Sequence, residues 1–212
     1  ATCTDRLRTV FPDVGVESLP SSLGDVQVVV LDGKAIKRAA KRLKPLRGVS
    51  GGVLGGRALV ALSLRSGLAV AMHAHPDGDA NEVRFVADLL PVVRARVPGP
   101  RLWLGDRAFC NLEQVDRFCA EGDHCLVRRR RNVSFEPDPT RSPQTGRDTA
   151  ERTYTEAWGW LGNRNDPRCR YVRQITLERS GEEPIFLVTD LLDAACYPAS
   201  DLLLLYLSRW GI

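Results

Sequence analysis

Asp32 and Asp106 each close a short apolar run, Val26-Gln27-Val28-Val29-Val30-Leu31-Asp32 and Arg101-Leu102-Trp103-Leu104-Gly105-Asp106. Two carboxylates brought side by side at neighbouring strand ends repel each other, and one is pushed to a high pKa unless a cation compensates. Hard oxygen ligands at an open site favour Mg²⁺ or Mn²⁺, which keep several waters and accept phosphate oxygens. Two such ions about 4 Å apart stabilise the attacking and the leaving oxygen of a phosphoryl transfer. Taken singly, each aspartate reads as an ordinary strand-end or helix-capping residue. Their matching positions make Asp32 and Asp106 candidate catalytic residues and candidate metal ligands.

The elements around them must bring these two ends together. Val26 to Asp32 is a nearly continuous apolar run rich in β-branched residues, as a strand buried on both faces requires. Arg57 to Leu64 and Leu68 to His73, separated by Arg65-Ser66-Gly67, carry a hairpin signature. Asp79 to Val97 places Val83, Val86, Leu90 and Val93 at spacings of three and four, which predicts a helix with Asp79 as its N-cap and Pro98-Gly99-Pro100 as its stop. Arg101 to Asp106 reads as another buried strand, Asn111 to Ala120 as a shorter helix ended by Gly122, and His124 to Arg128 as a fifth strand. The order is β-β-β-α-β-α-β, with a carboxylate at the tip of the first and fourth strands. In α/β sheets, sites form at strand tips.

From Arg129 to Pro184 the pattern changes to alternating polar and aromatic residues, as in Thr153 to Trp158 and Tyr171 to Leu177, and predicts an inserted, mainly antiparallel β region. Ile185 to Thr189 reads as a strand, and Pro198-Ala199-Ser200 as the lead into a helix from Asp201 to the end. Four segments follow: a lead-in over 1–25, a core over 26–128, the β-rich insertion over 129–184, and a return to the core with a final helix over 185–212. Ala1 to Arg8 lack a starting Met and an apolar stretch, so the chain is expected to be a piece of something longer, without a signal peptide.

With 212 residues, 43% hydrophobic and 26% charged, the composition is that of a globular protein with a core of its own. The longest wholly apolar run, Leu202 to Leu207, is far short of the roughly 18 to 20 residues that span a bilayer, so no membrane partner is expected. Six cysteines (Cys3, Cys110, Cys119, Cys125, Cys169, Cys196) form no C-x-x-C and no short Cys/His ladder. Reduced thiols and a cytoplasmic location are expected. The net charge of +4 is modest but unevenly carried. Every lysine lies between Lys34 and Lys44, and arginine supplies the rest, including the run Arg128, Arg129, Arg130 and Arg131. Such clusters suit phosphate contacts, and the four arginines are assigned as candidate DNA-binding residues.

Val30-Leu31-Asp32-Gly33-Lys34 and Leu104-Gly105-Asp106-Arg107-Ala108-Phe109 resemble the first and second aspartate motifs of DDE transposases of the IS4 type. Tyr206-Leu207-Ser208-Arg209-Trp210-Gly211-Ile212 is similar to that family's Y-x-x-R-x-x-x-E signature, with Tyr206 and Arg209 correctly spaced. The resemblance implies an α/β fold of RNase H-like class: a mixed sheet flanked by helices, with an inserted β-rich region. It implies metal-dependent DNA strand cleavage and strand transfer, with Asp32 and Asp106 holding Mg²⁺ or Mn²⁺, Tyr206 and Arg209 on DNA phosphate, double-stranded DNA (transposon ends and target) as partner, and a homodimer in the intact protein. The signature glutamate would follow Ile212, so the 212 residues alone are expected to be inactive. Positions 206, 209 and that next one share a helical face. Asp190, Asp193 and Asp201 are the other carboxylates that could substitute.

The rival expectation is a non-catalytic nucleic-acid-binding remnant. A haloacid-type phosphatase would need an aspartate where Lys34 stands. Gly51 to Gly56 lacks the order of an NTP-binding loop. His73 and His75 share a strand face without a third zinc-type ligand. Lys34, Lys37, Arg38, Lys41, Arg42 and Lys44 form either a basic helical face or a solvated surface. Tyr154, Trp158 and Trp160 could stack on an unpaired base, with packing inside the insertion as the stronger expectation.

Overall fold

A computed structural model of the chain describes residues 19–35, 56–77 and 80–208. Its strands are β1 (Gln27–Ala35), β2 (Arg57–Ser63), β3 (Leu68–His75), β4 (Arg101–Gly105), β5 (His124–Arg128), β6 (Phe135–Pro137), β7 (Gln144–Arg147), β8 (Thr153–Leu161), β9 (Arg170–Leu177) and β10 (Ile185–Thr189). They join one sheet in the order β3-β2-β1-β4-β5-β10-β9-β8-β6, with β7 also on β8. β1, β4 and β5 run parallel and every other pairing is antiparallel. Among the described residues the helices are α1 (Val86–Arg96), α2 (Leu112–Phe118) and α3 (Ala199–Ser208).

Alternation along the strands divides the core in two. Val29 and Leu31 of β1, Trp103 of β4 and Val127 of β5 pack with Val86, Leu89, Leu90 and Val93 of α1 and with Val115 and Phe118 of α2. Val28 and Val30, Leu102 and Leu104, and Leu126 point the other way and pack with Leu202, Leu203, Leu205 and Tyr206 of α3. Strands covered on both faces in this way are nearly continuously apolar, and β4 is buried from end to end, its one charged residue, Arg101, paired with Asp123. The result is a mixed α/β sheet between two helical layers.

The expected helix over Asp79–Val97 is shorter in the structure. Asn81 accepts the Val83 N–H and caps a 3₁₀ turn over Glu82–Phe85, and α1 follows from Val86. Asp79, the expected cap, lies outside the described residues. The shorter helix is α2, capped by Asn111, whose side chain accepts the Gln114 N–H at 2.9 Å. The β region after Arg128 forms no separate sheet: β10 lies between β5 and β9, so the ladder runs unbroken from the core outward.

Two buried polar knots hold these layers. Asp123, with a fully buried carboxylate, accepts from Arg94 Nε (2.9 Å), Arg101 Nε (2.7 Å) and Trp103 Nε1 (3.0 Å). Arg173, wholly buried in β9, donates to Glu156 of β8 at 2.6 Å and to the Tyr197 carbonyl at 2.6 Å. Charges removed from water persist only when paired in this manner.

Candidate active site

Parallel pairing aligns Val30 of β1 with Leu104 of β4. Asp32 and Asp106 each lie two residues further along their chains, so both reach the same end of adjacent strands. Asp32 follows Val28 and Val30 in alternation, and Asp106, still extended at φ −76° and ψ −175°, follows Leu102 and Leu104. Both carboxylates therefore belong to the face covered by α3. The structure brings together the two aspartates singled out in the sequence.

Their surroundings differ. Asp32 is exposed and has no ion pair among the described residues. Asp106 is half-buried and caps a 3₁₀ turn over Arg107–Phe109: its Oδ1 accepts the Ala108 N–H at 2.6 Å. Its second oxygen makes no hydrogen bond within the described residues. Glycine precedes Asp106 because the turn folds back closely. A Cβ on Gly105 would stand 3.1 Å from Phe109 Cβ.

The arginine run follows directly from β5, the next strand. Arg128 to Arg131 line a cleft of ≈ 460 Å³ with Asp106, Arg107, Ala108, Glu183 and Phe186. The four guanidinium groups have separate tasks. Arg130 donates to the Arg107 carbonyl (Nε, 2.5 Å) and the Ala108 carbonyl (Nη2, 2.9 Å), clasping the turn that Asp106 caps. Arg129 donates to the Val133 carbonyl at 2.6 Å and lies over the Phe186 ring at 4.9 Å; burial pushes its pKa down. Arg131 pairs with Glu183 at 2.8 Å on the open surface. Arg128 points to the α3 face after Leu126 and has no side-chain partner among the described residues, which leaves its charge for a ligand.

Tyr206 is 2% exposed and packs in the cluster that contains Val30 and Leu104. Its ring sits in the core under the strand tips, and Arg209 lies outside the described residues. α3 thus runs along the face on which the aspartates lie, and ends with Ser208 described, one residue before Arg209.

No third carboxylate joins the pair among the described residues that were candidates. Asp190 follows β10, whose Thr189 pairs with Leu126, and accepts the Cys125 N–H at 2.8 Å; it sits toward the opposite end of β5. Asp193 accepts the N–H groups of Ala195 and Cys196, and Asp201 accepts the Ser22 hydroxyl at the start of α3. Glu82 lies against Gly33 but is engaged by Arg57 at 2.5 Å, on the α1 face.

The remaining candidates have structural partners. His73 and His75 stack on Phe85 at 4.8 and 5.8 Å. Trp158 is wholly buried and donates to the Leu192 carbonyl at 2.9 Å, so it does not stack on a base in this arrangement. Trp160 carries the Arg164 guanidinium at 3.6 Å and the edge of Tyr171 at 5.1 Å. Lys34 is exposed at the end of β1; Lys37, Arg38, Lys41, Arg42, Lys44 and the loop 51–55 lie outside the described residues. No helix among the described residues is long and apolar enough to cross a membrane.

A protein-family profile described as Transposase DDE domain matches residues 25–212. Among solved structures, the chain is similar to the piggyBac transposase in a synaptic complex with hairpin DNA determined by cryo-EM, at 12% identity and a TM-score of 0.50. The match covers 87% of this chain and 38% of that one, and at such identity the likeness is one of fold. No curated protein matches the chain.

Proposed function

Because the chain belongs to the Transposase DDE domain family, we propose that Asp32 and Asp106 hold the divalent cations, Mg²⁺ or Mn²⁺, of a DNA strand cleavage and strand transfer reaction. The observation that carries this reading is the β1/β4 register, which delivers two carboxylates to adjacent strand tips beside an arginine-lined cleft. The donor set fits the ions: hard carboxylate oxygens at an open site, with Asp32 not engaged in an ion pair among the described residues. When bound, such ions would supply activation of the attacking oxygen and stabilisation of the leaving one.

The protein's own groups then divide as follows. Asp32 and Asp106 place the ligating oxygens; Arg130 fixes the turn that sets the direction of the Asp106 carboxylate. Arg128 and Arg131 supply charge to the phosphodiester backbone of double-stranded DNA, transposon ends and target alike, with arginine suited to bidentate phosphate contact. Arg129 holds the strand exit against Phe186. Tyr206 anchors α3 over the sheet, and Arg209, three residues further in the sequence, contacts phosphate. The spacing of these two residues supports the IS4 type, and a homodimer is the proposed assembly of the intact protein.

On this reading residues 1–212 hold two of three carboxylates and do not cleave by themselves. The test uses nicking of a supercoiled plasmid in Mn²⁺. A chain continued after Ile212 by glutamate and a helical tail of about ten residues is expected to nick, and the 212-residue chain is not. Asp32→Asn or Asp106→Asn in the extended chain abolishes the activity. Equal nicking by the 212-residue chain, or nicking that survives either substitution, overturns the assignment.

A further inference from the structure

At the far end of β5 from the aspartates, three side chains from three elements converge. Cys119 follows α2, Cys125 lies in β5, and Asp190 follows β10; their ligand atoms all lie within 4.8 Å of one another. Cys125 is wholly buried, and the Asp190 carboxylate is 15% exposed. Around a tetrahedral Zn²⁺, ligand atoms stand about 3.5 to 3.8 Å apart, so the cluster needs to contract by about 1 Å at most. The carboxylate is already aimed. Asp190 Oδ1 accepts the Cys125 N–H at 2.8 Å, and Oδ2 meets His124 Nδ1 at 2.9 Å.

We propose that Cys119, Cys125 and Asp190 form a binding site for a thiophilic divalent cation, zinc by class, with His124 orienting the carboxylate from outside and water in the fourth position. Two sulfur donors select against Mg²⁺ and Ca²⁺, which take oxygen, and favour Zn²⁺. A hydrogen-bonded carboxylate oxygen keeps a second lone pair for the metal. Binding of the ion forms two sulfur–metal bonds and releases the two thiol protons to solvent.

The position gives the ion a task. β5 is the last parallel strand, and β10 is where the chain re-enters the sheet after the β-rich region. An ion held by both strands and by the end of α2 ties this junction together. It is separate from the proposed catalytic ions, because Cys125 is three residues before Arg128, about 10 Å along the strand.

Cobalt(II) added to the reduced 212-residue chain is the probe. One equivalent is expected to give thiolate-to-metal charge transfer in the near ultraviolet, to be displaced by Zn²⁺, and to protect two thiols from a disulfide reagent. Cys119→Ser and Asp190→Asn lose the bands, His124→Ala weakens binding about tenfold or more, and the double variant Asp32→Asn, Asp106→Asn keeps them. Thermal melting with and without Zn²⁺ on the unsubstituted chain shows a metal-dependent rise in Tm, a readout independent of whether any variant folds. Absence of charge transfer in the unsubstituted chain, unchanged thiol reactivity with metal, or recovery of a Cys119–Cys125 disulfide in place of a bound ion overturns the proposal.

Discussion

The Arg130 guanidinium spans the carbonyl oxygens of Arg107 and Ala108, the two residues that follow Asp106. A residue whose type suggests a phosphate contact is thereby committed to holding a turn. Arg130→Ala leaves the Asp106 carboxylate without that support, and Mn²⁺ affinity, followed by the paramagnetic relaxation of water, is expected to fall about tenfold or more. Arg130→Lys, which cannot reach both carbonyls, recovers little of it. Unchanged Mn²⁺ affinity in Arg130→Ala would assign Arg130 to surface charge alone.

Arg128 is expected to behave in the opposite way. Its side chain has no partner among the described residues, so Arg128→Ala removes charge without loosening a turn. Binding of a duplex across a salt series should show the slope of log K against log salt reduced by about one, with Mn²⁺ affinity unaltered. A slope that does not move would place the DNA elsewhere on the surface.

Asp123 carries the heaviest structural load. Its carboxylate is 0% exposed and compensates two guanidinium groups and the Trp103 indole N–H. Asp123→Ala leaves Arg101 without a carboxylate partner and Arg94 with only the exposed Glu121, and urea unfolding is expected to show a loss of about 3 to 5 kcal/mol. Asp123→Asn keeps the shape but not the charge and should fall between. A loss under about 1 kcal/mol would show that water enters and solvates the arginines.

Asp148 gives a pH dependence with a definite sign. Burial alone would raise its pKa, but the Arg152 guanidinium and the N–H groups of Arg152 and Ala150 bring it below the ordinary 3.8. The folded state therefore prefers the ionised form. The stabilisation is present above the unfolded value of 3.8 and is lost as pH falls through the lower folded value. The Tm difference between the native chain and Asp148→Asn is expected to be constant from about pH 7 to about pH 5 and to shrink toward about pH 2. A difference independent of pH would remove the charge from the explanation.

The sequence was most legible where a single constraint governs each residue. β1, β4 and β5 lie between two helical layers, so their apolar runs stand out, and the carboxylates at two of their tips follow. The hairpin of β2 and β3 and the final helix were readable for similar reasons. What escaped was relational. The placing of β10 between β5 and β9 depends on pairing partners far apart in the chain, and no local pattern encodes it. Packing was the stronger expectation for Trp158, and it is buried; what the sequence did not supply is the partner, the Arg141 guanidinium at 3.4 Å from its ring. Pro91 stands inside α1, and the 3₁₀ turn before it shows that spacing alone overestimates where a helix begins. Cys125 is six residues beyond Cys119 and Asp190 is 65 beyond Cys125, a spacing that matches no short metal motif yet converges in space.

The sheet order also sets where this architecture can grow. β10 and β9, late in the chain, lie nearest β5, while β8, β6 and β7 form the outer margin. A segment lengthened between Asn132 and Thr153 adds material at that margin, as a tree adds wood at its circumference, and leaves the pairing of β1, β4, β5 and β10 intact. Added length in this region is thus accommodated at the rim without disturbing the strands that carry the carboxylates.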